Sequence, residues 1–230
     1  MLAMYRALTI VSWFLGICLW SSASLAAHIT GHVVITKNLT KERVTLPSYQ
    51  LRATALPSQQ QKPATINEFS RLAIYLEGPQ LERGIPVRVE LDQKNARFEP
   101  EILVIPVGST VSFPNSDPVF HNVFSLSKAK MFDLGYYPAG QSRTVKFERA
   151  GVVQVYCHLH AQMNAAILVV PSAWHTKPQK DGSFSLSDIP AGTQTLVAWH
   201  KSAGFFKRKV ELSENGSVEI DLTIPIRESE

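Results

Sequence analysis

The stretch Val155–Val170, VYCHLHAQMNAAILVV, sets one cysteine, two histidines and one methionine within seven residues and then continues as an unbroken apolar run. The residues before it, Val152–Tyr156, are β-branched or aromatic, as are several of those after it. Both flanks therefore read as strands, with a short loop between them. Two residues separate Cys157 from His160 and two more separate His160 from Met163. A loop that short brings the three side chains toward one point.

Working outward, nearly every periodic segment has strand character. His32–Thr36, Arg71–Glu77, Val87–Asp92, Thr110–Pro114, Thr144–Glu148, Val152–Tyr156 and Ala166–Val170 are short and bounded by Gly, Pro, Asn or Ser. No stretch combines an amphipathic helical period with caps at both ends, so helix is expected to be a turn or two at most. The expectation is an all-β protein built from sandwiches. The segment 56–67, LPSQQQKPATIN, is polar, Gln-rich and bounded by proline, as a long mobile surface loop would be.

The amino terminus carries a short basic start (Met1–Arg6), an apolar core (Ala7–Trp20) and a small-residue exit (Ser21–Ala27). That is the layout of a secretory signal peptide over residues 1–27, cut after Ala26 or Ala27. A retained anchor is the competing reading, but the apolar run is short for a membrane span. Export implies a periplasmic protein with no membrane span once the signal is removed. Cys18 leaves with the signal; Ile17 before it is not the small residue of a lipoprotein signal. Cys157 is then a lone cysteine in an oxidising compartment, where structural cysteines normally pair. A buried small hydrophobe is its simplest explanation, and a ligand or reactive thiol the sharper one.

Composition excludes some classes. The chain is 45% hydrophobic and 18% charged, ordinary for a globular protein, with a formal net charge of +4 that becomes +3 when Arg6 is removed. Its basic residues are dispersed. The one cluster, Lys207, Arg208 and Lys209, lacks an interleaved aromatic platform, so nucleic acid is not an expected partner.

Upstream of the cysteine loop, VGSTVSFPNSDPVFHNVFS places His121 just past the turn that follows Thr110–Pro114, where a neighbouring strand can deliver it to the same point. The set becomes His121, Cys157, His160 and Met163. Thiolate and thioether favour copper, and a His, His, Cys plane with a weak axial Met is the arrangement of a blue-copper electron-transfer site. Zinc also accepts Cys with two His. Singly, His121 would be a strand-end polar residue and Met163 core filler; the joint pattern carries the metal reading.

These residues resemble a cupredoxin, the family of plastocyanin and amicyanin. The resemblance rests on STVSFPNSD, HNVFS, AGVVQVYC and CHLHAQM, and it covers the central 85 or so residues, about one Greek-key sandwich (85–171). It implies one type 1 copper held by His121, Cys157, His160 and Met163, with Asn115 tying the histidine-side loop to the cysteine-side loop. It also implies an apolar docking patch over His160, for which Pro118, Val119, Phe120 and Leu159 are the candidates. His158, next to Cys157, projects away from the metal if strand alternation persists. It is a plain exposed histidine, an electron exit or a second metal ligand.

The end of the chain, DGSFSLSDIPAGTQTLVAWHK, resembles the second half of a carboxypeptidase regulatory-like domain, a small transthyretin-like sandwich. HITGHVVI and RLAIYLEGP resemble its first half. A discontinuous sandwich from residues 28–84 and 172–230, interrupted by the cupredoxin, is the economical arrangement; two or three consecutive small domains is the other. The chain as a whole is similar to bacterial periplasmic proteins with plastocyanin-like or "methylamine utilization" labels, which join these two modules.

The expected function is that of a periplasmic mononuclear copper protein carrying single electrons between redox protein partners, not an enzyme. Copper binding and delivery without redox turnover is the alternative, although Met131 and Met163 are the only mature methionines. A cut after Ala27 would make His28 the amino terminus and raise a third idea, a copper-binding brace with His32. The redox partner and oligomeric state are left open.

Overall fold

The computed structural model describes residues 26–37, 39–40 and 67–225. The segment expected to be a signal peptide, up to Leu25 with Cys18, and all but the last residue of the expected surface loop over 56–67 lie outside the described residues. The fold is all-β, and among the described residues the one helical element is a 3-10 turn at Glu68–Arg71 capped by Asn67, whose side chain accepts from the Phe69 N–H at 3.1 Å. Among the described residues no helix is long and apolar enough to cross a membrane.

Four sheets stack as successive layers. The first joins β1 (Ala26–Ile35) to β14 (Ser183–Pro190), β17 (Ser217–Glu219) and β18 (Leu222–Ile224). The second has the order β13 (His175–Thr176), β2 (Leu72–Glu77), β15 (Gly192–His200), β16 (Gly204–Leu212). The third runs β6 (Ile102–Pro106), β12 (Asn164–Val170), β11 (Gly151–Tyr156), β8 (His121–Ser127), β9 (Lys130–Tyr137). The fourth is β10 (Ser142–Lys146), β7 (Thr110–Pro114), β3 (Arg88–Glu90), with the hairpin β4 (Asp92–Lys94) and β5 (Arg97–Glu99) beside it. The chain passes from the fourth sheet to the third between β7 and β8, returns at β10 and crosses again to β11, as in a Greek-key sandwich.

Burial follows period two where a strand has one covered face. In β7, Val111 and Phe113 point inward; in β11, Val153 and Val155 do. Both belong to the core between the third and fourth sheets, with Val123, Tyr137, Ala165, Ile167, Val169, Cys157 and Met163. A second core, between the first and second sheets, draws on both ends of the chain: Ala27, Ile29, Leu72, Ile74 and Leu76 with Leu186, Leu196, Ala198 and Ile224. Gly31 permits the close approach of β1 in this sandwich, since a Cβ there would collide with the Ile220 carbonyl oxygen.

A third core explains the runs that do not alternate. In β12, AAILVV is buried on both faces: Ala165, Ile167 and Val169 face one core, while Ala166, Leu168 and Val170 face Ala73, Tyr75, Val197 and Trp199 of the second sheet. LAIYL in β2 is buried in the same two-sided way. Continuous apolar strands are the expected cost of covering a sheet on both sides.

Most strand expectations agree to within a few residues, and Thr110–Pro114 coincides with β7. The amino-terminal strand differs: it begins at Ala26, where Ala27 is fully buried and paired with Ile189. His28 and His32 lie four residues apart along β1, about 13 Å at the rise of an extended strand. They cannot share one metal ion in this conformation, which corrects the brace idea.

Candidate metal centre

Three elements deliver the site. His121 opens β8 and, like Val123 and Ser125 after it, points into the core. Cys157 follows the last residue of β11, two positions beyond inward Val155, so strand alternation carries its thiol inward as well. His160 and Met163 come from the loop that returns the chain to β12, a turn closed by the Met163 N–H donating to the His160 carbonyl at 2.9 Å.

The side chains converge. Cys157 Sγ is 3.9 Å from His121 Nδ1 and 3.9 Å from His160 Nδ1, and one ligand atom from each of the three residues lies within 4.8 Å of the others. Ligands at ordinary metal–nitrogen and metal–sulfur distances, spread evenly in a plane around one ion, stand roughly 3.5–3.8 Å apart. The trio fits that requirement with little movement. His121 is fully buried, Cys157 is 4% exposed and Met163 1% exposed, within the same core as Cys157; His160 is half-buried. The thiol is free.

The far side of His121 is held by a residue that sequence reasoning missed. Asp117 Oδ2 is 2.7 Å from His121 Nε2, which leaves Nδ1 as the nitrogen facing Cys157. Asp117 also accepts from the Asn95 N–H at 2.6 Å and the Ala96 N–H at 2.8 Å. Asn95 and Ala96 have φ of 54° and 52°, the left-handed pair of a tight hairpin turn between β4 and β5, which turns both N–H groups toward the carboxylate. Burial opposes ionisation of Asp117, yet the hydrogen bonds from Ala96, His121 and Asn95 hold its carboxyl below the ordinary value. A carboxylate four residues before a histidine was the only available signal, and it gains meaning only when the hairpin is folded against it.

Asn115 does not make the expected tie between the two loops. Its Nδ2 donates to the Val119 and Tyr137 carbonyls at 2.8 and 3.1 Å, and its Oδ1 accepts from the Asp117 N–H at 3.1 Å. All three partners lie on the histidine side, so Asn115 braces the loop that carries Asp117. Asn122 reaches across instead, its Oδ1 accepting from the His158 N–H at 3.3 Å. Strand alternation explains the exchange: the neighbour of an inward His121 points to the opposite face, beneath the chain leaving Cys157.

His158 projects away from the other three residues. Its ring stacks on Phe124, centroids 3.8 Å apart and planes 5° from parallel, with Nε2 3.9 Å from Asp133 Oδ2. Asp133 is anchored by Asn122 Nδ2 at 2.7 Å and the Gly135 N–H at 2.9 Å. The backbone bond from Gly135 leads the effects that lower its pKa. Pro118, Val119, Phe120 and Leu159 are all exposed, Phe120 to 56% and Leu159 to 52%, in the segments flanking His121 and His160. Those two rings sit 4.8 Å apart, bringing the segments to one end of the sandwich.

No family model matches the sequence, and no curated protein does. Among solved structures, partial likenesses include a purple cupredoxin from Nitrosopumilus maritimus, 26% identical, covering 36% of this chain and 99% of that one, TM-score 0.33. A copper-containing nitrite reductase from Thermus scotoductus is 25% identical over 37% of this chain and 22% of its own, TM-score 0.35. A reduced Cu(I) amicyanin variant is 22% identical over 36% of this chain and 82% of its own, TM-score 0.34. These matches account for well under half of the chain, and the resemblance of its terminal sandwich to a regulatory-like domain has no counterpart in the three.

Proposed function

We propose that the protein is a periplasmic electron carrier with one type 1 copper, which His121, Cys157, His160 and Met163 would hold. The observation that carries this reading is the 3.9 Å approach of both imidazole Nδ1 atoms to a single unpaired, buried thiol. A free cysteine in an exported protein, with two imidazoles beside it and a buried methionine in the same core, suits copper better than the harder cations. Copper supplies a one-electron couple at such a site.

The residues around it supply the rest. Asp117 and the β4–β5 turn keep His121 in one tautomer and orientation, and Asn122 fixes the chain after Cys157. Strands on both sides limit how far the ligands move, which keeps reorganisation small. Of the four residues only His160 is partly exposed, next in sequence to exposed Leu159, so electrons would pass to a redox partner docked on that apolar end. The proposal includes no catalytic role: no acid, base or nucleophile is needed for the electron step.

The test is the absorption and electron paramagnetic resonance spectrum of the copper-loaded, oxidised protein. An intense thiolate-to-copper band that bleaches on reduction and is lost in Cys157→Ser supports the carrier. A colourless protein that takes up only Cu(I) favours copper delivery; one that selects zinc rejects both.

A further inference from the structure

The second and third sheets do more than share an apolar seam. Lys201, in the turn between β15 and β16, reaches across to the chain just past Met163. Its Nζ donates to Asn164 Oδ1 at 2.8 Å and to the Asn164 carbonyl at 3.3 Å, and pairs with Glu101 Oε1 at 2.8 Å. The Lys201 side chain is only 9% exposed. A cation so placed needs all its donors met, and here three acceptors meet them.

The acceptors are fixed in turn. Arg71 grips Glu101 with two nitrogens, Nε to Oε2 at 3.1 Å and Nη2 to Oε1 at 2.8 Å. The Glu101 carbonyl accepts the Ala166 N–H of β12 at 3.0 Å, and the Lys201 N–H donates to the Arg71 carbonyl at 3.0 Å. Asn164 is also the end of the ladder: it pairs with Tyr156, so Tyr156 and Asn164 close the base of the loop 157–163. Lys201 therefore clamps that base from a different sandwich, one residue from Met163.

We propose that Lys201 is a positioning residue for the candidate metal loop, through which the terminal sandwich sets where Met163 stands. The inference deepens the copper reading and rests on it for its consequence, since the axial ligand tunes the potential of such a site. The mechanical part concerns the chain alone. A merely stabilising cross-link would, when cut, loosen the whole fold; a clamp on the loop base loosens residues 163 and 164 first.

The experiment is amide hydrogen exchange on the metal-free full-length protein, comparing wild type with Lys201→Met, Lys201→Arg and Asn164→Ala. Lys201→Met is expected to lower protection at Met163, whose N–H donates to the His160 carbonyl, by about ten- to a hundredfold, the range for losing hydrogen bonds from a charged group, while Val153 in the same core changes little. Asn164→Ala, which removes the side-chain acceptor from the other side, should give the same local pattern, and Lys201→Arg should restore most of the protection. Equal loss at Val153 and Met163, or no loss at Met163 in either variant, overturns the proposal. In the copper-loaded protein Lys201→Met should keep the thiolate band but shift the reduction potential. A wild type without that band removes the copper reading, while the exchange data still decide the clamp.

Discussion

Asp117 Oδ2 lies 2.7 Å from Nε2 of His121, and the same carboxylate gathers two N–H groups from the turn between β4 and β5. One acidic side chain thus joins a hairpin of the fourth sheet to a candidate ligand at the head of β8. Charge-assisted bonds of this kind hold a ring in one tautomer more firmly than a neutral acceptor does.

Asp117→Asn should weaken metal affinity by about 10–100-fold, the usual cost of disturbing a partner that orients a ligand. Competition with a chelator of known strength measures it. Unchanged affinity would mean that the buried walls around His121 orient the ring without help.

Phe120→Glu should leave the spectrum intact and slow electron exchange. Phe120 is 56% exposed beside the entry to His121, so the substitution has no core to disrupt. Self-exchange between oxidised and reduced copies, read from nuclear magnetic resonance line widths, needs no identified partner. A fall of about tenfold or more is expected, because like charges face each other in the encounter. Unaltered exchange would place the docking end elsewhere.

His158→Ala should cost stability and spare the metal. The stack on Phe124 is worth about 0.5–1.5 kcal/mol, by analogy with aromatic pairs, and the ring faces Asp133 rather than Cys157. Metal content and spectrum are expected to match wild type, with a modest drop in the denaturant midpoint. Loss of the spectrum would return His158 to the ligand set; a slower transfer to a redox partner with the spectrum intact would make it an electron exit.

Acid should weaken the fold in a window set partly by His200. This fully buried ring sits 3.1 Å from Glu68 Oε2, and burial lowers its pKa below the ordinary 6.5 despite that carboxylate. The unfolded chain therefore takes up a proton that the native chain resists. Stability is full above about pH 6.5 and falls as pH drops below it. His175, lowered by burial, adds to the same loss. Burial opposes the charge on Glu68, but bonds from Thr40 and Leu39 and the nearby His200 leave its pKa below 4.5, so its contribution disappears only in stronger acid. Denaturant midpoints between about pH 7.5 and about pH 5.5 should decline, and His200→Gln should flatten that decline. An unaltered slope would contradict the assignment.

Much of this molecule was legible without coordinates, because its signals are local. Period-two burial in Thr110–Pro114 and Val152–Tyr156, the breaks at Gly and Pro, and the short loop from Cys157 to Met163 follow from backbone geometry over a few residues. So does the approach of His160 to Cys157. His121 is 36 residues away from Cys157, yet its place at the head of a strand entering the same core was readable from the pattern around Thr110–Pro114.

The tertiary structure alone decided which polar residue serves which neighbour. Asp117 has a role only because the Asn95 and Ala96 N–H groups are folded onto it. Asn122 replaces Asn115 in bridging to the cysteine side because adjacent strand residues face opposite ways. Lys201 meets Asn164 only because two sheets stack, burying Leu168 against the face that carries Trp199. Composition and spacing along the chain specify strands, turns and the ligand types; contacts between sheets depend on register and stacking, which no single segment encodes.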